Sequence, residues 1–265
     1  MKNLKEKISI VMPAYNEENH IQASIEETVK TFNDFGCAWE LIVIDDGSSD
    51  ATYLKASELT NKYPGKLFVK RNPLNLGKGR ALKKSLHYIS GDYVVFLDAD
   101  MDLHPIQVQA LFDIMRLDNA DIVIGSKLHP NSVVAGYPYQ RRFITLMYYL
   151  LVKFLFKLPC HDTQTGLKLF KAEVLRKVFP RILVKKFAFD LEVLANAHYL
   201  GYRIAEAPIV LNSKGRYGRI GIKAVLTTFW DTLAIFYRMY IAKYYDRIDY
   251  HRRKNMAKEF RRVRR

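Results

Sequence analysis

The stretch YVVFLDADMD, residues 93–102, decides how the rest of the chain is read. Its opening run of aromatic and β-branched residues suits a buried strand, and the run stops abruptly in carboxylates at i, i+2 and i+4. Alternate residues of an extended chain point the same way, so Asp98, Asp100 and Asp102 are expected to converge. Like charges brought together repel unless something positive lies between them. A hard divalent cation such as Mg2+ or Mn2+ takes oxygen ligands and binds a diphosphate at the same time. The trio is therefore a candidate metal site. The competing reading is a solvated acidic turn in which Asp102 caps the next helix.

Working outward, ISIVMP (8–13), ELIVID (40–45), KLFVK (66–70) and DIVIGS (121–126) read as further short strands. Helical patterns at 17–32, 50–63, 79–89 and 105–117 alternate with them, which predicts a mostly parallel sheet with helices on both faces. Ligands of such sheets collect at the carboxyl ends of the strands. Polar residues stand at those ends: Tyr15-Asn16-Glu17, Asp45-Asp46-Gly47-Ser48, Asn75 to Lys78, and Asp98 to Asp102. Asp45 and Asp46 could accept hydrogen bonds from a base or a ribose, although Asp-Asp-Gly-Ser is also ordinary turn chemistry. No glycine fingerprint follows the first strand, which disfavours a dinucleotide cofactor. Gly77-Lys78-Gly79 is a fragment of a phosphate loop without its Lys-Ser/Thr ending.

Beyond residue 126 the character changes. Segments 141–158 and 222–245 read as amphipathic helices with wide apolar faces, and AEAPIVL (205–211) as a further strand. Lys168 reads as a solvated-face lysine. The chain of 265 residues carries a formal charge of +15, and residues 247–265 hold nine Lys/Arg against Asp249 and Glu259. A phosphate-bearing partner is implied, and the two helices with the basic tail fit the interface plane of an anionic membrane. Cys37 and Cys160 form no C-x-x-C pair, so a reducing compartment is expected, with neither a secretory leader nor a membrane span. Nucleic acid is disfavoured as a partner, because the cations follow no aromatic-interleaved strand motif and the acidic cluster would repel a phosphate backbone.

Together VMPAYNEE (11–18), VIDDGSSD (43–50), NLGKGRAL (75–82), FLDADMD (96–102), DIVIGSK (121–127), HDTQTGLKLF (161–170) and FAFDLE (187–192) resemble family-2 glycosyltransferases. More narrowly, the chain is similar to the polyprenyl-phosphate sugar transferases that make dolichyl-phosphate mannose or glucose. The resemblance covers roughly residues 8 to 215. It implies a GT-A fold with a Rossmann-like nucleotide-sugar-binding sheet over residues 1–215, followed by an amphipathic membrane-interface helix and basic tail over 216–265.

The implied activity is inverting transfer of a hexose, mannose from GDP-mannose or glucose from UDP-glucose, to a polyprenyl phosphate on the cytoplasmic face of a membrane. Pro13, Ala14, Tyr15, Glu17, Asp45, Asp46, Lys78, Asp98 and Ala99 would hold the nucleotide. Asp98, Asp100 and Gln164 would serve catalysis, and Asp98, Asp100 and Asp102 the metal. Lys127, Arg141 and Lys214 would bind the acceptor phosphate; Asp162, Gln164, Asp190 and Glu192 would line the sugar pocket. A soluble or polysaccharide acceptor, a nucleic-acid-binding role, a silent nucleotide-sugar sensor and a homo-oligomer stay open at this point.

Overall fold

The computed structural model describes residues 4–136, 138–184, 188–212 and 222–249. In chain order the strands are β1 (Ile8–Ala14), β2 (Trp39–Asp45), β3 (Leu67–Arg71), β4 (Tyr93–Phe96), β5 (Ile122–Ser126), β6 (Val133–Ala135), β7 (Lys168–Lys171), β8 (Ile204–Pro208) and β9 (Val210–Asn212). Seven of them form one sheet in the order β3-β2-β1-β4-β7-β5-β8, and β6 pairs with β9 beside it. β1 runs parallel to β2 and β4, and β5 parallel to β8. The predicted α/β sheet is present, with one departure: β7 enters antiparallel between β4 and β5. Four residues beginning with a lysine are too few to show an alternation, so periodicity did not reveal this strand.

The helices are α1 (Ile21–Phe35), α2 (Thr52–Glu58), α3 (Lys78–Ser85), α4 (Val108–Leu117), α5 (Tyr139–Phe156), α6 (Ala172–Val178), α7 (Phe189–Tyr199) and α8 (Ile222–Phe236), the last running on into a π-helical turn, Tyr237–Ile241. Strand alternation sorts the core into two layers. Ile8, Ile10 and Met12 of β1 join α1 and α4 on one face. Val11, Val94, Phe96 and Phe170 join α6 and α7 on the other. Each such fully buried side chain contributes about 1.5–3 kcal/mol relative to exposure.

The second layer also takes in α5 and α8. Val152 and Phe156 of α5 pack in the same cluster as Ile235 and Met239, Phe156 meets the ring of Phe236 at 6.0 Å, and the Tyr148 and Thr232 hydroxyls are 3.3 Å apart. The inward stripe of each helix is thus covered. Outward, Phe143, Met147, Leu150 and Phe154 of α5 and Leu226 and Trp230 of α8 stay exposed. Among the described residues no helix is long and apolar enough to cross a membrane.

Candidate active site

A cleft of about 610 Å³ opens where the carboxyl ends of β1, β2 and β4 meet, the position where open α/β sheets bind ligands. Pro13, Ala14, Tyr15 and Glu17 supply one wall, Asp46 with Asn75, Gly77 and Lys78 a second, and Asp98, Ala99 and Asp100 the floor; Gln164 and Asp190 close the far end. Asn75 and Gly77 stand in the polar run and the NLGKGRAL motif after β3, without an assigned role of their own.

The first wall is rigid because its turns bond to one another. Asn16 adopts the left-handed conformation, φ 55°, which asparagine tolerates better than most residues. Its N–H donates to Ser48 Oγ (2.9 Å), while Ser49 N–H donates to Asn16 Oδ1 (3.0 Å) and Glu17 N–H donates to Thr52 Oγ1 (2.7 Å). These bonds fix Asn16 and Glu17 in the turn, and α1 starts at Ile21, later than the predicted residue 17. Tyr15, 44% exposed, is left as a ring standing into the cleft.

The two aspartates after β2 divide their work. Asp46 lines the cleft and accepts from Asn72 Nδ2 (2.7 Å) and from the N–H groups of Leu76 (3.2 Å) and Gly77 (2.7 Å), which shapes the loop leading to Lys78. Asp45, expected at the base or ribose, is fully buried and does not line the cleft. It accepts from Ser48 and faces Arg71 Nε at 3.0 Å. A carboxylate this deep is a brace for the turn.

At the floor, Lys78 Nζ lies 2.5 Å from Asp98 Oδ1 and 2.8 Å from Asp98 Oδ2. Burial pulls the Lys78 ammonium down, but Asp98, Asp190 and Asp100 more than offset that and hold its pKa above the ordinary value. Asp98 also needs its neighbour Gly166: a Cβ there would fall 2.0 Å from Asp98 Oδ2. Ser24 of α1 donates to the Ala99 carbonyl (2.5 Å) and pins the turn. Asp100 stands at the open edge of the cleft, yet the protein packed around it and then the Asp98 charge push its carboxyl up to about 6.

The aspartate trio does not converge. β4 ends at Phe96, Met101 turns through φ 60°, and Asp102 N–H donates to Asp100 Oδ1 (3.1 Å). The extended alternation therefore stops before it reaches Asp102, which is outside the cleft lining. Among the described residues no three His, Cys, Asp or Glu side chains gather as a metal-ligand set. Asp98 and Asp100 remain together on the floor. Two carboxylates this close, one with its affinity for protons raised, fit a site completed by a divalent cation and the oxygens of a diphosphate.

The far end is organised by buried ion pairs. Gln164 and Asp190 face the cleft as expected. Lys168, far from being solvated, is 2% exposed at the start of β7; it pairs with Asp190 Oδ1 at 2.7 Å and also donates to the Thr165 carbonyl. Asp162 is buried behind the lining, where it accepts from Lys127 Nζ (2.6 Å), Lys127 N–H (3.0 Å) and Thr165 Oγ1 (2.6 Å). Burial raises its pKa, but the Lys127 charge and these bonds outweigh that and hold it below the ordinary value. Asp162 thus shapes the 162–165 loop and does not line the cleft.

Lys127, expected at the acceptor phosphate, is the partner of Asp162 in this state. Arg141 stands in the first turn of α5, outside the cleft lining. Glu192 is fully buried and likewise absent from the lining, because two residues along a helix turn it about 200° from Asp190. Lys214 and the tail beyond residue 249 lie outside the described residues.

With this geometry in place, comparison with known proteins is decisive. Residues 9–179 match the family described as glycosyl transferase family 2. This chain belongs to that family. Family relatives include a dolichyl-phosphate beta-glucosyltransferase of Trichomonas vaginalis, 30% identical over 91% of this chain and 76% of its own length. One of the same name in Dictyostelium discoideum is 31% identical over 76% of this chain; this chain spans 65% of that protein. Among solved structures, glucosyl-3-phosphoglycerate synthase from Mycobacterium tuberculosis, in complex with Mn2+, UDP and glucosyl-3-phosphoglycerate, aligns with a TM-score of 0.68 at 23% identity, over 88% of this chain and 79% of that one. That likeness establishes the fold, and the sheet is the GT-A sheet of family 2.

Proposed function

We propose that the protein transfers glucose from UDP-glucose to a polyprenyl phosphate of the dolichyl type, at a membrane surface, with inversion at the sugar. The observation that carries the reading is the cleft at the carboxyl ends of β1, β2 and β4, with Asp98, Asp100 and Lys78 on its floor, in a chain whose family relatives are named for glucose and dolichyl phosphate.

In this reading Tyr15 and Pro13 form the wall for the base, and the loop shaped by Asp46 carries the Lys78 charge to the diphosphate. Asp98 and Asp100 would hold Mg2+ or Mn2+, which when bound neutralises the departing nucleoside diphosphate. Gln164 and Asp190 hydrogen-bond the hexose hydroxyls, and Lys168 fixes the Asp190 carboxylate in place. An acceptor phosphate is already anionic near neutral pH, since its second ionisation lies near 6. No carboxylate has to act as base; alignment of phosphate and anomeric carbon, with a metal opposite the departing diphosphate, would supply the rate.

Membrane association is supported by the outward faces of α5 and α8. Phe143, Met147, Leu150 and Phe154 follow helical spacing on one, Leu226 and Trp230 on the other. Packed side by side, these helices present an apolar surface suited to the headgroup boundary. Cys37 and Cys160 are both free thiols, in keeping with the cytoplasmic face.

The test is incubation with dolichyl phosphate, Mg2+ or Mn2+, and a panel of radiolabelled nucleotide sugars, followed by organic extraction. Label from UDP-glucose in the lipid phase is the expected result. Label from GDP-mannose alone would change the sugar. Transfer only to water-soluble acceptors would overturn the lipid assignment.

A further inference from the structure

Glu192 is withdrawn from the cleft yet bonded on every side. Its Oε2 accepts the backbone N–H groups of Leu183 (2.9 Å) and Val184 (2.7 Å). Its Oε1 accepts the Tyr245 hydroxyl at 2.5 Å and lies 3.5 Å from Arg238 Nη1. One carboxylate thereby joins the segment ahead of α7, α7 itself and the segment that follows α8. Burial first, and then the Glu192 charge, push the Tyr245 phenol far above its ordinary range, so it stays a donor. The same C-terminal segment is tied a second time by Arg181. That guanidinium is 1% exposed, pairs with Asp249 (2.9 Å) and Asp246 (3.4 Å), and lies over the rings of Tyr199 and Tyr245.

Apolar packing alone could hold these helices together. A buried carboxylate is costly to desolvate and directional, and what it adds is a specified register. The register in question is that of the first turn of α7, which meets the active site twice. Asp190 lines the cleft. Phe189 lies so close to Gly79 of α3 that a Cβ there would come within 2.5 Å of its ring, and α3 begins with Lys78, the partner of Asp98. Lys83 of the same helix donates to the Ile182 carbonyl (2.6 Å), immediately before the two N–H groups that Glu192 holds.

We propose that Glu192 is a positioning residue for the transfer reaction. Without touching the cleft, it locks the first turn of α7, and with it Asp190 and the Lys78–Asp98 pair, to the C-terminal segment 237–249. That segment is then part of the active-site framework and not only an appendage. The proposal rests on the transferase reading of the cleft, and its test separates the two.

The full chain is compared as wild type, Tyr245→Phe, Glu192→Gln and Glu192→Ala, well below the melting temperature of each. Two quantities are read: kcat and donor KM for glucose transfer, and amide hydrogen exchange of the peptide spanning 182–184. Tyr245→Phe is expected to stay folded while kcat falls about tenfold and donor KM rises as Asp190 and Lys78 lose their register, and Glu192→Ala to lose about a hundredfold in kcat. Glu192→Gln keeps an acceptor for the two N–H groups and is expected to recover part of that loss. Exchange at 183 and 184 should quicken in the same order.

Wild-type kcat in both Tyr245→Phe and Glu192→Gln, or a loss that merely follows the unfolded fraction, overturns the proposal. Should the wild type transfer no sugar, the transferase reading fails and the exchange measurement decides alone: faster exchange in Tyr245→Phe supports the lock, and unchanged exchange refutes it.

Discussion

The two halves of the cleft are built by different means. On the side proposed for the nucleotide, the turns after β1 and β2 are held by neutral bonds from the backbone N–H groups of Asn16, Glu17 and Ser49 to side-chain oxygens nearby in space. The Asp45 and Asp46 carboxylates hold them too, and Asp45 pairs with an Arg71 that is half-exposed. On the side proposed for the sugar, β7, α7 and the 162–165 loop are held by pairs in which both partners are buried or nearly so, Lys168–Asp190 and Lys127–Asp162. Neutral bonds of the first kind are worth about 1 kcal/mol each, so losing one is tolerable. A buried pair is worth little against an apolar replacement, yet is costly to break halfway, because the surviving charge is stranded. The half with the buried pairs is accordingly the more exacting one.

The largest effect should come from stranding one of those charges. Lys168→Met leaves Asp190 without its partner and should cost about 3–5 kcal/mol of stability in urea unfolding, with Asp190→Leu in the same chain recovering much of it. A cost no greater than that of a single neutral bond would erase the contrast. Next is Gly166→Ala, where the new methyl must push Asp98 off Lys78. Transfer should fall about a hundredfold with the thermal midpoint little changed, and full activity would show that Asp98 has room to move.

A subtler difference lies in pH dependence. The folded-state pKa of Asp162 is depressed below the ordinary 3.8, so its contribution is fully present above that value and is lost as pH falls through the folded pKa. Asp162→Asn should be less stable at neutral pH and should lose stability less steeply on acidification below 3.8. Parallel acid-unfolding curves would remove Asp162 from the account. The smallest effect on stability belongs to Trp230→Ser on the outer face of α8, within about 0.5 kcal/mol. The same variant should bind anionic vesicles more weakly in a flotation assay, and undiminished binding would take that face out of the membrane reading.

This contrast also explains what could be read from the sequence. Strands β1, β2, β4 and β5 were legible because each is a short apolar run that ends in polar residues, and Tyr15, Asp46, Lys78, Asp98 and Asp100 followed from that rule. β7 was not, because its four residues, KLFK, begin and end in lysine and form no apolar run. The buried partners escaped as well: Lys168 meets Asp190 across 22 residues and Lys127 meets Asp162 across 35, separations over which no periodicity speaks. Asp102 was misplaced because strand alternation was extended past the end of β4. Asp45 and Glu192 were misplaced because a carboxylate in a functional motif was read as a ligand when it is a brace.

The Asp98–Asp100 floor is the proposed place where a sugar diphosphate is turned over. The most direct measurement is the transfer of radiolabelled glucose from UDP-glucose to dolichyl phosphate by Asp100→Ala beside the wild type, with circular dichroism confirming that both are folded. The account predicts lipid-phase label from the wild type in the presence of Mn2+ or Mg2+, and a loss of at least about a hundredfold in the variant. Equal transfer by the two proteins would contradict it.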